Sequence, residues 1–415
     1  METTRRNFLA TAGAAVSAPM ILGATDKTGT KLPILGEGEH QYECIHDWGE
    51  LPSNIKYGNT HSVCEDAQGH IYIHHTVHKT SQSPDSVVVF DAKGKFVRSF
   101  GPMFRGGAHG MHLSKEGKTE YLYFCDEKHG IVTKRTLKGE EIWTMGYPQD
   151  SPIYQKGPGS TGPGGAAGLN YRPTNFAIAP NLDFWVGDGY GSYYMFHYSQ
   201  ASSTAYPKLV KTFGGPPAGQ AQGGGRGPGA PAGGGRGPGE GRGGEKGGPP
   251  AQARGGAGRG PANPPTPGQP GVPRNAPIES MNNPHGNMVD LRDPANPILL
   301  VADRGNSRIV RYKLDDTPID IVAGTKSPCH FHTHKDTIVV PDLQARVTLL
   351  DKSNNIILHL GEPTVANPPR TTENRSDFIA GQFVQPHGAI FDHMGNIFVA
   401  EWVEIGRVTK LRKIA

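Results

Sequence analysis

One stretch of this chain recurs, and its recurrence limits the fold more than anything else in the sequence. From Val384 to Trp402 the residues are Val-Gln-Pro-His-Gly-Ala-Ile-Phe-Asp-His-Met-Gly-Asn-Ile-Phe-Val-Ala-Glu-Trp. Pro386-His387-Gly388 leads into a short apolar segment ending at Asp392, His393 to Asn396 turn the chain, and Ile397 to Ala400 form a second apolar segment closed by Glu401. Two such runs joined by a Gly/Asn turn read as a β-hairpin. The same template lies between Asn283 and Arg304, with Pro284-His285-Gly286, Asp290, a longer turn, and Leu299 to Ala302 ahead of Asp303-Arg304.

Weaker copies begin near Asn59-Thr60-His61, Ala108-His109-Gly110, Arg172-Pro173-Thr174 and Pro328-Cys329-His330. Each unit offers an inner strand, a turn, a second strand ending in an acid or a substitute, a third strand and, in five units, a fourth. Repeats of about 40 residues built from four short strands are the signature of a β-propeller. The sixth repeat stops after its third strand, while a strand-like run at His40 to Gly49 has no partner in sequence. Placing that run as the missing outer strand closes a ring of six blades, which leaves no open end to cap. The expected fold is therefore all-β, a six-bladed propeller spanning 40–414 and closed by an N-terminal strand.

Two segments stand outside the repeats. Residues 215–277 are rich in Gly, Pro, Ala and Arg with almost nothing apolar, so ordering them is not offset by burial; a disordered insert between blades three and four is expected. Between Gly214 and Pro277 the charge is +5, and subtracting it from the whole-chain +4 leaves −1 for everything else. A propeller so close to neutral offers no basic groove for nucleic acid, while the Arg/Gly insert is a candidate contact for an anionic partner. At the N-terminus, Thr4-Arg5-Arg6-Asn7-Phe8-Leu9 followed by a mildly apolar run resembles a twin-arginine export leader over 1–24. The run is too short and too rich in small residues for a membrane span, and the resemblance implies a periplasmic or other extracytoplasmic address. Cys44, Cys64, Cys125 and Cys329 show no CxxC spacing and fall in different repeats, and they read as core residues.

Lined up by repeat, the inner strands give His61, His109, Thr174, His285, His330 and His387. Residues at equal depth on alternate blades are about 120° apart around the axis. His109, His285 and His387, on blades two, four and six and each followed by Gly, can meet there. Three neutral imidazoles with an open position suit catalytic zinc or another transition metal. At the ends of the second strands, Asp126, Asp188, Asp303, Asp342 and Glu401 read as structural acids that hold turn backbone.

Val301-Ala302-Asp303-Arg304-Gly305-Asn306-Ser307-Arg308-Ile309 and Pro386-His387-Gly388 resemble NHL repeats. The three channel histidines, Asp188-Gly189-Tyr190 and Ala302-Asp303-Arg304 together are similar to the lyase domain of peptide-amidating enzymes, the peptidyl-α-hydroxyglycine α-amidating lyases. That resemblance implies zinc on His109, His285 and His387, Tyr190 as base, Arg304 as a carboxylate contact, and a small-molecule or peptide substrate in the central channel. It departs in two places. A second arginine after the second strand of blade one is replaced by His74-His75-Thr76, and the acid that binds calcium in that family is replaced by Gly388, so the likeness does not extend to calcium. The expected function is an exported metal-dependent lyase acting on an α-hydroxylated amide. The alternatives are a non-catalytic periplasmic propeller that binds a protein or polysaccharide, and a calcium-dependent lactonase-like hydrolase, which the histidine-rich channel disfavours.

Overall fold

A computed structural model of the chain describes residues 31–154, 171–217 and 276–414. The expected 1–24 leader, nearly all of the expected 215–277 insert and residues 155–170 lie outside the described residues. Within them the strands form six antiparallel sheets, and among the described residues no helix is long and apolar enough to cross a membrane. The inner strands of blades one to six are Thr60–Glu65, Ala108–Glu116, Phe176–Ile178, Pro284–Asp290, His332–His334 and Pro386–Phe391.

Ring closure follows the sequence expectation. Tyr42–Ile45 pairs antiparallel with Arg407–Lys413, the third strand of blade six, with Cys44 opposite Leu411. A further strand, Ile34–Leu35, adds outside it, so blade six carries five strands where the repeat count gave four.

The blades are held face to face by six apolar clusters, one at each junction between neighbouring blades. This explains why the second strands are continuous apolar runs rather than alternating ones: both faces of a blade are covered. In blade four, Leu299 and Val301 face blade three while Leu300 and Ala302 face blade five. Side-chain alternation along the strand thus serves two cores at once. The four cysteines are free and buried, and Cys44, Cys64 and Cys125 belong to three different junctions.

In blades three to six the acids that end the second strands bolt the entry loop to its sheet. Asp188 accepts from the Arg172 amide at 2.7 Å, Asp303 from the Asn282 amide at 2.7 Å, Asp342 from the Ser327 amide at 2.6 Å, and Glu401 from the Val384 amide at 2.8 Å. In blades four, five and six the same acid also binds an arginine that starts the third strand, Arg308, Arg346 or Arg407. These pairs are buried, and their cost of desolvation is met by multiple hydrogen bonds to each acid. Each entry loop leads directly into the inner strand, so the bolts fix where the channel residues start.

Candidate metal centre in the propeller channel

The channel histidines are placed by β-bulges. In blade two the pairing steps from Ala108 opposite Asp126 to Met111 opposite Phe124, and in blade four from Pro284 opposite Asp303 to Asn287 opposite Val301. In blade six it steps from Pro386 opposite Glu401 to Gly388 opposite Ala400, and in blade one from Thr60 opposite His75 to Ser62 opposite His74. Each step inserts one extra residue, and the residue after the last regular pair is His109, His285, His387 or His61. A bulge bends the strand and re-aims a side chain; here it turns an imidazole from the blade face toward the axis.

The glycine that follows is required by close approach. A Cβ on Gly286 would stand 2.6 Å from the carbonyl oxygen of Cys329 on the next blade, and Cβ atoms on Gly110 and Gly388 would collide with the carbonyls of Thr174 and His61. Those same carbonyls accept hydrogen bonds from the histidines. Nδ1 of His109 lies 2.7 Å from Thr174 O, Nδ1 of His285 2.8 Å from Cys329 O, and Nδ1 of His387 3.0 Å from His61 O. A carbonyl only accepts, so each Nδ1 carries the proton and each Nε2 keeps its lone pair. This second-sphere arrangement is the one that orients metal-ligating histidines.

The three rings form a near-equilateral triangle, with centroids 4.8 Å apart for His109 and His285, 4.8 Å for His109 and His387, and 4.7 Å for His285 and His387. Residues of the intervening blades flank its edges. Tyr190 of blade three lies on the His109–His285 edge, its Oη 3.3 and 3.2 Å from the two Nε2 atoms. Cys329 of blade five lies beside His285 and His387, and His61 of blade one beside His387 and His109. The donor atoms draw together most closely as two overlapping sets, His61 with His109 and His387, and His285 with Cys329 and His387, each within 4.8 Å. The expected trio of His109, His285 and His387 is not itself one of these sets but is divided between them, and the Tyr190 hydroxyl is within hydrogen-bond reach of both His109 and His285. These buried His and Cys groups are capable of holding a metal ion.

One channel residue differs from the repeat alignment. Pro328 bridges to Asp342 as Pro284 pairs with Asp303, so the blade-five residue equivalent to His285 is Cys329, and His330 falls where blades two, four and six have glycine. His330 turns its Nδ1 to Ala389 O at 3.0 Å. Pro-Cys-His offered two candidates one residue apart, and only the register separates them.

Burial sets the protonation of the site. It pushes His109 down to about 3 and holds His285, His387 and His61 well below the ordinary histidine range, with the neighbouring imidazoles or the Arg304 and Arg172 guanidinium groups adding to it. All four are neutral near pH 7, as metal ligation requires. Burial raises the Tyr190 phenol, while Arg304, whose Nη2 donates to Tyr190 Oη at 3.0 Å, opposes that rise.

Tyr190 and Arg304 are placed by the two motifs that singled them out. Gly189 must be glycine because a Cβ there would collide with Pro284 O, and the carbonyl of Gly189 accepts from Asn283 Nδ2 at 2.6 Å. Arg304 opens a short 3-10 turn, Arg304–Asn306, anchored to Asn282 and Asn283 through backbone bonds. The Tyr190 ring lies between two guanidinium groups, Arg304 and Arg172, each 5.2 Å from its centroid. Arg172 is paired with Glu127. On the blade-six side, Arg370 stacks on Trp402 at 3.8 Å and donates to Asn59 Oδ1 at 3.1 Å. Arg172 opens the third repeat and Arg370 lies outside the repeats, and the sequence marked neither as a site residue. His75 replaces a blade acid rather than extending a clamp: it is buried and accepts from the Val77 amide at 3.0 Å.

Together the fold and the site define a six-bladed propeller with a histidine-walled channel able to hold a metal. No protein-family model matches the chain, and no curated protein sequence matches it. Among solved structures it is similar to a streptogramin B lyase at 10% identity, covering 91% of this chain and 99% of that one with a TM-score of 0.47. It is also similar to a gluconolactonase from Xanthomonas campestris at 9% identity, covering 92% and 95% with a TM-score of 0.49, and to the glutaminyl cyclase of Myxococcus xanthus at 9% identity, covering 74% and 89% with a TM-score of 0.36.

Proposed function

We propose that this protein is a metal-dependent lyase that cleaves an α-hydroxylated amide, with His109, His285 and His387 as metal ligands, Tyr190 as the proton-transferring group and Arg304 as the carboxylate contact. The observation that carries this reading is the shared tie of three histidines. Each gives its Nδ1 proton to a neighbouring blade's carbonyl, and Nε2 of His387 is left buried with no partner. An unpaired buried nitrogen is costly unless something occupies it, and three neutral imidazoles suit zinc or another borderline transition metal. A calcium ion is not part of the proposal: position 388, where an acid would be needed, has no room for a side chain.

Bound there, the metal supplies Lewis-acid polarisation of a substrate oxygen. The chain's own groups do the rest. Arg304 binds the carboxylate through its guanidinium and orients the carbon that bears the hydroxyl. Tyr190 Oη, 3.0 Å from Arg304 Nη2, takes the hydroxyl proton. The O–H electron pair becomes the new C=O bond as the C–N bond breaks, and the phenol's own proton passes from Tyr190 Oη to the nitrogen, which leaves as an amide. An aldehyde or keto acid remains. The twin-arginine leader and extracytoplasmic address belong to the same proposal, since such a route exports folded proteins with their metal in place.

The test is release of glyoxylate from an N-acyl α-hydroxyglycine by metal-loaded protein. Turnover by wild type with loss in Tyr190→Phe supports the reading. An equal rate in the two proteins removes Tyr190 from its role, and no turnover by either removes this substrate class.

A further inference from the structure

We propose that His61 is a fourth ligand of the channel metal, so that the centre is built from four histidines on blades one, two, four and six. The inference rests on reading the channel as a metal centre and goes beyond the trio on alternate blades. Its first support is position. His61 occupies the bulge of blade one as His109, His285 and His387 occupy theirs, one residue after the Thr60–His75 pair. Its ring lies 4.6 Å from that of His387 and 4.9 Å from that of His109. Ligand atoms of His61, His109 and His387 fall within 4.8 Å of one another.

Its second support is an unmet bonding requirement. His61 is only 6% exposed, and its Nδ1 has no hydrogen-bond partner among the described residues. The three residues flanking the histidine triangle differ in this respect. Tyr190 is engaged by Arg304 and two histidines. Cys329 has its thiol 3.4 Å from Ser327 O and 3.8 Å from Arg304 Nη1, and a neutral thiol is a poor ligand. Of these three, His61 is the one with a buried ring nitrogen that lacks a hydrogen-bond partner among the described residues. In the remaining blade the equivalent residue, Thr174, turns its hydroxyl to Gly187 O and Pro284 O at 3.0 and 2.9 Å and contributes nothing to the axis.

The consequence is a preference among metals. The four rings occupy two triangles that share the His109–His387 edge, with His61 and His285 at the far corners. A tetrahedral ion held by four imidazoles has no position left for substrate. A catalytic four-histidine centre therefore calls for an ion that takes five or six ligands, such as iron(II), cobalt(II) or nickel(II). His61 also serves through its main chain, whose carbonyl holds His387. Replacing the side chain leaves that carbonyl in place, so the two roles are separable.

Cobalt(II) titration of the metal-free full-length protein, followed by visible absorption and by X-ray absorption at the cobalt edge, decides the matter. Wild type is expected to bind one equivalent with four imidazoles in its shell and the weak absorption of a five- or six-coordinate ion. His61→Ala and His61→Gln are expected to bind at least about tenfold more weakly, the low end of what losing even an outer-sphere partner costs, with a changed spectrum. A wild-type shell of three imidazoles, or unchanged affinity and spectrum in the two variants, overturns the role of His61 and leaves the three-histidine centre standing. No cobalt uptake by wild type overturns the metal centre itself, and this inference with it. The ligand count in wild type needs no variant, so a misfolded substitution does not leave the question open.

Discussion

The carbonyl oxygen of Thr174 accepts the Nδ1 proton of His109 at 2.7 Å, and it also closes off the space beside Gly110. One backbone group on blade three thereby fixes both the tautomer of a channel histidine on blade two and the identity of the next residue. The relation recurs between His285 and Cys329 and between His387 and His61. His-Gly is thus a unit of interblade packing that also aims an imidazole at the axis.

Substituting these glycines therefore damages the site and the fold together. Gly286→Ala places a methyl group 2.6 Å from Cys329 O, where backbone must give way. Overpacking of this kind costs about 1–3 kcal/mol. The expected outcome is a lower melting temperature, measured by circular dichroism, together with at least tenfold weaker metal binding by titration. An alanine variant with wild-type values for both would show that the interblade contact does not constrain the histidine.

Tyr190 and Arg304 are expected to separate chemistry from binding. Tyr190→Phe removes the oxygen proposed to transfer the proton and keeps the ring beside Arg172 and Arg304. Loss of a general acid–base group lowers turnover by about 10²–10⁴-fold. Metal content and melting temperature should stay near wild type. Arg304→Lys should raise KM more than it lowers kcat, because a single ammonium cannot reproduce bidentate carboxylate binding. Both are read from steady-state kinetics of glyoxylate release.

Acid stability should depend on His46, far from the channel. Its Nε2 accepts from the Gly381 amide at 3.0 Å and its Nδ1 lies 2.8 Å from Thr409 Oγ1, joining the closing strand region to blade six. Burial, reinforced by Arg407, lowers its pKa to about 3. The folded value lies below the unfolded one near 6.5, so the unfolded state takes up the proton first as pH falls. The contribution is complete above pH 6.5 and is lost progressively as pH falls toward 3. One such group gives a slope of about 1.4 kcal/mol per pH unit within that window. His46→Phe is expected to be less stable at pH 7.5 and to show a shallower loss of stability between pH 6 and 4.5, measured by urea unfolding. An unchanged slope would exclude His46 as one of the groups responsible.

Closure of the ring can be tested at Cys44. This residue is buried opposite Leu411 in the junction between blades five and six. Cys44→Asp puts an unpaired carboxylate there and should detach the Tyr42–Ile45 strand, leaving Arg407–Lys413 as an open edge. Exposed edges template association, so the variant is expected to melt earlier and to form oligomers seen by light scattering. Cys44→Ala is the milder control and should remain monodisperse to the same degree as wild type.

The repeats were legible because a propeller blade writes itself in local sequence: turn residues and acids recur at fixed offsets, and apolar runs mark strands buried on both faces. Closure by His40 to Gly49 was legible by counting strands. What the sequence did not reveal depends on register or on contacts between distant residues. Cys329 was hidden behind His330 because a shift of one residue exchanges the side that faces the channel. The carbonyl ties of His109, His285 and His387 involve main-chain atoms on other blades and leave no mark on residue type. His61 was visible as an inner-strand histidine, but its place beside the trio follows from distances alone. Arg370 lies in an entry loop where no repeat marks it, and Arg172, though it opens the third repeat, carries no sign in its residue type of its place beside Tyr190.

The central claim, a metal held by the channel histidines, is tested most directly by elemental analysis of protein purified without a histidine tag. About one equivalent of a transition metal in wild type, or its uptake on reconstitution, is expected, with loss in a His109→Ala, His285→Ala, His387→Ala triple variant that still folds. Less than roughly a tenth of an equivalent in wild type, with no uptake on reconstitution, would contradict it, since a preorganised site of this kind binds tightly.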